Sequence, residues 1–386
     1  MGSNYRKIGD FLRLIDTRNQ GLRINKLVGL TVNKQFIPSV ANIVGSDMEN
    51  YKIIRKGQFA CSLMQVRRDK KIPVALLQDF DEAIISQAYP VFEVVDKNKL
   101  EPEYLMMWFS RTEFDREACF YAVGGVRGSL EWEDFCNMQL PVPPIEKQRE
   151  IVAEYHAVQK RIQINEQLIQ KLEETAQAVY RRWFVEGVDM ENLPEGWEVK
   201  RFTEVVKFSG GGTPDTNNPV YWNGGIPFFT PADVTSGYYS IQTEKSISKE
   251  GLNKSSTKLY PKNTIFVTAR GTVGAIAIAG CEMAMNQSCY AISGNYPFYI
   301  HQLSLDAIGK LKNEAVGAVF GALVTKDFEA QLVVHPANEL KEMFDNKASK
   351  LYNYILLKVK ENQKLTELKE LLLSKLATIE NWKKII

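Results

Sequence analysis

Residues 145–184 read IEKQREIVAEYHAVQKRIQINEQLIQKLEETAQAVYRRWF, a stretch without glycine or proline. Pro141, Pro143 and Pro144 stand just before it and Gly187 just after it. Proline fits the first turn of a helix but not its interior, and glycine favours the position past a helix end. The stretch therefore predicts one long helix from about Ile145 to about Phe184. Ile151, Tyr155, Val158, Ile162, Asn165, Ile169, Leu172, Ala176, Val179 and Trp183 follow alternating steps of four and three. That spacing describes a coiled-coil seam, which a straight surface helix would drift off. Asn165 lies in the seam, where one polar residue costs stability but fixes register. A plain core stripe is the alternative for any single one of these residues.

Working outward, the chain repeats itself with a period of roughly 195 residues. A short strand-like run opens each copy, KIGDFLRLI from Lys7 and KRFTEVVKF from Lys200. RKGQFACSLMQ from Arg55 matches PKNTIFVTARG from Pro261, each with a turn pair before an alternating β run. ISQAYPVF from Ile85 matches MNQSCYAI from Met285, with Gln87 opposite Gln287. GSLEWEDFCNMQLPVPP from Gly128 matches GALVTKDFEAQLVVHPA from Gly321. A second long helix is expected from Pro336 to about Ile379, with Leu351, Ile355, Asn362, Leu365, Leu368, Leu372 and Ile379 along its seam. One such helix per copy makes an intramolecular antiparallel pair the economical arrangement. At 1.5 Å per residue, about 40 residues would span about 60 Å and hold two globular parts apart. The expected fold class is α/β (α+β), with an internal pseudo-twofold repeat. Its parts are a globular domain over 1–143, a helix over 144–187, a second globular domain over 188–337 and a second helix over 338–386.

Composition narrows the function classes. The 386 residues are 45% hydrophobic, ample for packed cores, and the formal net charge is only +2. Any nucleic-acid surface must then be built from local patches. The five cysteines form no C-x-x-C pair and the three histidines lie far apart, so zinc-ligand spacing is absent. The cysteines read as buried thiols of a reducing, cytoplasmic setting. The N-terminal residues MGSNYRKIGD lack an apolar signal core, and no apolar run is long enough to suggest a membrane span.

One stretch imitates enzyme chemistry. FSGGGTPDTNNPVYW, residues 208–222, carries glycines like those that hold S-adenosylmethionine, and an Asn-Pro-x-Tyr like the loop that grips a flipped adenine. A cofactor turn must open a helix, and Pro214 and Pro219 forbid one here. In an adenine methyltransferase a full βαβ unit of roughly 30 residues separates the two motifs. Here only Thr213 to Asn217 lie between them. A stand-alone adenine-N6 DNA methyltransferase with permuted motifs stays as the enzymatic alternative, and a protein-binding hub as the structural one.

The wider segment, LPEGWEVKRFTEVVKFSGGGTPDTNNPVYWNGGIPFFTPADV over residues 193–234, resembles the start of the second target-recognition domain of Type I restriction-modification specificity subunits. The resemblance rests on Leu193-Pro194, Gly196-Trp197, Gly212-Thr213-Pro214, Tyr221-Trp222, Ile226-Pro227 and Thr230-Pro231 with Asp233. Arg270 to Gly274 and Asn286-Gln287-Ser288 fit it as well, as does the order domain, helix, domain, helix over the full chain. Copy one matches in layout but departs in its loops, as readers of different sequences would. The resemblance implies a non-catalytic DNA-recognition chain with two target-recognition domains, separated by the antiparallel coiled-coil pair. Each domain would read half of an asymmetric, split target in double-stranded DNA. The helices would dock two methyltransferase (modification) subunits. Those subunits, not this chain, would bind S-adenosylmethionine, and restriction (motor-nuclease) subunits can join through them.

Candidate contact residues follow from side-chain chemistry. Arginine suits guanine O6/N7, glutamine suits adenine, and lysine suits phosphate. The densest basic run of copy one is Arg67, Arg68, Lys70 and Lys71, with Gln65 just ahead. A solvated hairpin tip is its bland reading. Arg18, Asn19 and Arg23 form a second cluster, and Arg127 lies between glycines that allow a close phosphate approach. In copy two the candidates are Thr213, Tyr221, Trp222, Lys254, Arg270 and Thr272. Tyr221 and Trp222 are equally readable as core residues, and Arg270 as half of a salt bridge. Asn165 and Asn362 are the candidate register residues of the helices.

Overall fold

The computed structural model describes residues 5–39, 47–124, 128–235, 237–314 and 322–378. Contacts group the chain into two compact units, Met1–Arg161 with Leu365–Ile386, and Ile162–Lys364. Both long helices contribute a segment to each unit.

The first unit is built on a four-stranded antiparallel sheet in the order Leu12–Ile15, Val91–Val94, Phe59–Cys61, Val74–Leu76. Gly57, at φ 86°, supplies the left-handed turn that leads into the strand Phe59–Cys61. The core is aromatic: Phe59 stacks on Phe92 at 5.1 Å, and Phe109 and Phe135 pack on Phe92 at 6.4 and 5.7 Å. Such offset and edge-on ring pairs add to what burial alone contributes. Two helices, Pro102–Phe109 and Thr112–Tyr121, close this core.

The second unit has a five-stranded sheet in the order Lys207–Gly210, Cys289–Ser293, Ile265–Thr268, Ile276–Ala279, Tyr239–Ser240. Its first four strands are antiparallel and the last joins in parallel. Asn263, at φ 70°, holds the left-handed position that Gly57 holds in the first unit. The helix Pro297–Glu314 supplies Leu303, Ala307 and Ile308 to the core.

The opening runs of the two copies are not continuous strands. Tyr5–Lys7 and Leu12–Ile15 are split by the 3₁₀ turn Ile8–Phe11. Glu198–Arg201 and Lys207–Gly210 are split by the helical turn Phe202–Val205. The reason is burial: Ile8 and Phe202 are fully enclosed, which needs a bend that turns each inward. In both cases the first strand pairs with the strand ahead of a long helix, Gln139–Pro141 or Leu332–His335.

The first long helix runs Ile145–Phe184 and the second Asn338–Lys375. Ile379 lies outside the described residues. Within the second unit the two helices run in opposite directions. Asn165 donates to Asn362 Oδ1 at 2.8 Å, while Tyr180 and Phe184 pack on Phe344 at 6.0 and 5.4 Å. The buried line of the second helix is Phe344, Ala348, Tyr352, Ile355 and Leu356. The expected seam residue Leu368 is 42% exposed. There the core-facing residues of this helix end are Leu373, Leu376 and Ala377, which pack on the core of the first unit. Within the first unit, Ile151, Val152 and Tyr155 share a core with Leu376.

Candidate nucleic-acid interface

Sheet register brings three loops of each unit to one sheet end. In the first unit Cys61 pairs with Val74, so residues 62–73 form the tip of that hairpin. Ala60 and Ile15 both pair with Val91. The segment that ends at Pro90 and the segment that begins at Asp16 therefore reach the same end. In the second unit Val267 pairs with Ile276 and Thr268 with Cys289, so the tip 269–275 and the loop Asn286–Ser288 are neighbours. Gly210 pairs with Tyr290, which brings the segment from Gly211 to Trp222 to that end as well. Leu130 N–H donates to Leu63 O, and Leu323 N–H donates to Ala269 O, each at 2.9 Å. The returning chain thus clamps both tips in the same way.

Most candidate residues fall on these loops. Gln65 to Lys71 form a helical turn over Val66–Asp69, flanked by the left-handed residues Gln65 (φ 63°) and Lys70 (φ 52°). Val66 is buried beneath it, while Arg67, Arg68, Lys70 and Lys71 face solvent. Arg68 pairs with Asp69 at 2.7 Å, which raises its own pKa and lowers that of the aspartate. Arg67 donates to Gly124 O at 3.0 Å. The base of the tip is fixed by Asp115, which accepts from Ile72 N–H at 3.1 Å and pairs with the buried Lys34 at 2.7 Å. Burial pushes the pKa of Lys34 down, against the pull of the Asp115 carboxylate. Arg127 lies outside the described residues.

Arg18 and Asn19 carry structural duties. Arg18 donates to Asn50 O at 2.7 Å and pairs with Asp16 at 2.7 Å, which holds the Asp16 carboxyl below its usual range. Asn19 is a correction: it is fully buried, donating to Ile24 O at 2.8 Å and accepting from Ile24 N–H at 3.1 Å. Its amide closes its own loop, so no atom of it reaches the surface. Arg23 is exposed beyond that loop.

In the second unit Arg270 and Thr272 are exposed on the tip, whose bend uses Gly271 (φ 78°) and Gly274 (φ 71°). Among the described residues Arg270 has no salt bridge. Thr213 donates to Gln287 Oε1, joining two of the three loops. Tyr221 and Trp222 are half-buried. The Trp222 indole donates to Asp215 O at 3.1 Å and its ring meets Phe228 edge-on at 5.4 Å, so it belongs to a small satellite core. Lys254 is exposed at the end of the helix Lys249–Asn253, which packs on the Tyr221 turn.

The same stretch accounts for the enzyme-like motif. A Cβ on Gly211 would lie 2.0 Å from Asn286 O, and one on Gly212 would lie 2.1 Å from Ser256 Oγ. These glycines let backbones meet. Asn218 Oδ1 accepts from Val220 N–H at 3.1 Å, so its amide caps a local turn.

Gln87 and Gln287 stand opposite each other in the matched segments, and sheet register places each at the loop-bearing end of its own sheet. Both are exposed on the loops at the shared sheet end. In the sequence the only signal was a glutamine at the matching position of both segments.

Residues 41–174 and 194–367 match the family model described as the Type I restriction modification DNA specificity domain. The chain is 22% identical over 424 aligned positions to the Type I restriction enzyme HindI specificity subunit of Haemophilus influenzae, covering 90% of this chain and 92% of that one. It is 26% identical over 197 positions to the MjaIX specificity subunit of Methanocaldococcus jannaschii, covering 48% and 45%. In fold it resembles the crystal structure of a Type-I restriction-modification system S subunit from M. genitalium, with a TM-score of 0.56 at 15% identity over 98% and 99% of the two chains.

Proposed function

The chain belongs to the family of Type I restriction-modification DNA specificity subunits, and from that premise we propose that it reads a bipartite, asymmetric DNA target, one half per unit. One observation carries the reading. Both units present three loops at the same sheet end, clamped by the same backbone bond, yet the side chains on those loops differ. A shared frame with divergent tips is what two readers of different sequences require. Phosphate contacts from Lys70 and Lys71 would position the duplex, and Arg67, Arg270, Gln87 and Gln287 would face base edges.

In this reading the repeat is a pseudo-twofold duplication, and 144–187 and 338–386 are a coiled-coil spacer between target-recognition domains 1–143 and 188–337. Near-equivalent helices offer one partner species two sites. Two modification subunits dock there, hold S-adenosylmethionine and methylate DNA in the cytoplasm, and restriction subunits join through them. The chain itself supplies the address and no catalysis. In the second unit, Tyr354 and Leu357 support the docking role, being 42% and 57% exposed on the helix whose other face carries Tyr352 and Ile355.

Co-expression with the cognate modification subunit, followed by genome-wide mapping of methylated adenines, tests this. The expected result is a split motif with one methylated adenine in each half. Methylation that ignores the presence of this chain, or a single uninterrupted motif, would refute it.

A further inference from the structure

The helix Thr112–Tyr121 of the first unit ends in side chains that its core does not absorb. Phe120 is 77% exposed, the highest value of any large apolar side chain among the described residues. Tyr121 and Val123 beside it are 42% and 59% exposed, and the Phe120 and Tyr121 rings meet edge-on at 5.4 Å. Single exposed apolar residues are common on protein surfaces, but three together on one helix end form a patch.

This patch adjoins the basic tip. Cys119 Sγ donates to Val66 O at 3.4 Å, and Arg67 reaches Gly124 O at 3.0 Å. Arg67, Arg68, Lys70 and Lys71 therefore flank one side of it. On its own helix, Arg116 is exposed and pairs with Glu113 at 3.3 Å. Glu117 is half-buried, and burial raises its pKa. Beyond these, Asp69 is already paired with Arg68. The surroundings of the patch are thus predominantly cationic, a poor setting for an apolar protein partner and a good one for a polyanion.

We infer that Phe120 is an apolar wedge, stacking on or entering between bases of the first half-site while the neighbouring tip holds the phosphates. Aromatic and aliphatic side chains beside basic ones unstack base steps and bend duplexes in this way. The inference rests on the DNA-reading role and adds a specific residue to it. It also gives indirect readout to the first half, since the cost of opening a step depends on which step is opened.

The test uses the full complex with the modification subunit and a fluorescent duplex carrying the mapped target. Phe120→Ala should weaken binding about tenfold, with an unchanged dependence on salt because no charge is removed. Phe120→Trp should bind like wild type, and both variants should co-purify normally with the modification subunit. Equal binding by Phe120→Ala would overturn the wedge while leaving the DNA-reading role intact. Loss of co-purification would also overturn it and give the patch to a protein contact. Failure of the wild-type complex to prefer its target would overturn both readings.

Discussion

His301 is fully buried in the second unit, and burial holds its pKa down to about 3. Gln302 donates to the Tyr352 hydroxyl at 2.8 Å, which leaves the hydroxyl proton for His301 Nδ1 at 2.7 Å. The histidine is thus a neutral acceptor in the folded state. In the unfolded chain it protonates below about pH 6.5. Its contribution to stability is complete above that value and is lost as the pH falls towards 3, by up to about 1.4 kcal/mol per pH unit. His301→Gln keeps an acceptor for Tyr352 and cannot titrate. Denaturant melts between pH 7 and pH 4 should therefore show a flatter decline for this variant, and parallel curves would contradict the assignment. None of this is legible in the sequence, where His301 is one of three scattered histidines. Asn19 teaches the same lesson: a short polar residue beside two arginines looks like a reader of DNA until its burial is known.

At the scale of elements, the first long helix was legible almost to the residue, because proline and glycine bracket an uninterrupted periodic run. The second was legible in existence, and its expected seam holds at Leu351, Ile355 and Asn362 but not at Leu368. Asn165 is 1% exposed and bonds Asn362 across the helices. Asn165→Ala strips Asn362 Oδ1 of this donor and should cost about 1–3 kcal/mol in thermal or denaturant unfolding. Replacing both asparagines by valine removes the polar pair together and should return stability to near the wild-type value. If register is their role, that double variant will be stable yet elute as a mixture of states on size exclusion. A single variant as stable as wild type would argue against a structural bond. Leu368 marks the limit of reading a seam from spacing alone: near it the residues packed on the core of the first unit are Leu373, Leu376 and Ala377, while Leu368 is turned to solvent.

For the whole molecule, recognition by two units predicts separable effects. Arg270→Ala should cost about 1–3 kcal/mol of binding and relax specificity in the second half of the target only. Lys71→Ala should weaken all sequences alike and reduce the salt dependence. The two residues share no partner, so their effects should add to within about 0.5 kcal/mol. Competition binding with duplexes altered in one half at a time would check both. A loss spread over both halves from Arg270→Ala would contradict one reader per unit. The sequence by itself determined the long helices, because they follow from periodicity, proline and glycine, and its local motifs carried the resemblance to the family whose domain it matches twice. The tertiary structure alone decided which loop residues share a surface. That depends on strand register, which places Gly211, Arg270 and Gln287 at one sheet end although long stretches of chain separate them. It also decided which polar side chains are already engaged, because burial and hydrogen-bond partners are properties of the packed molecule and leave no mark on spacing.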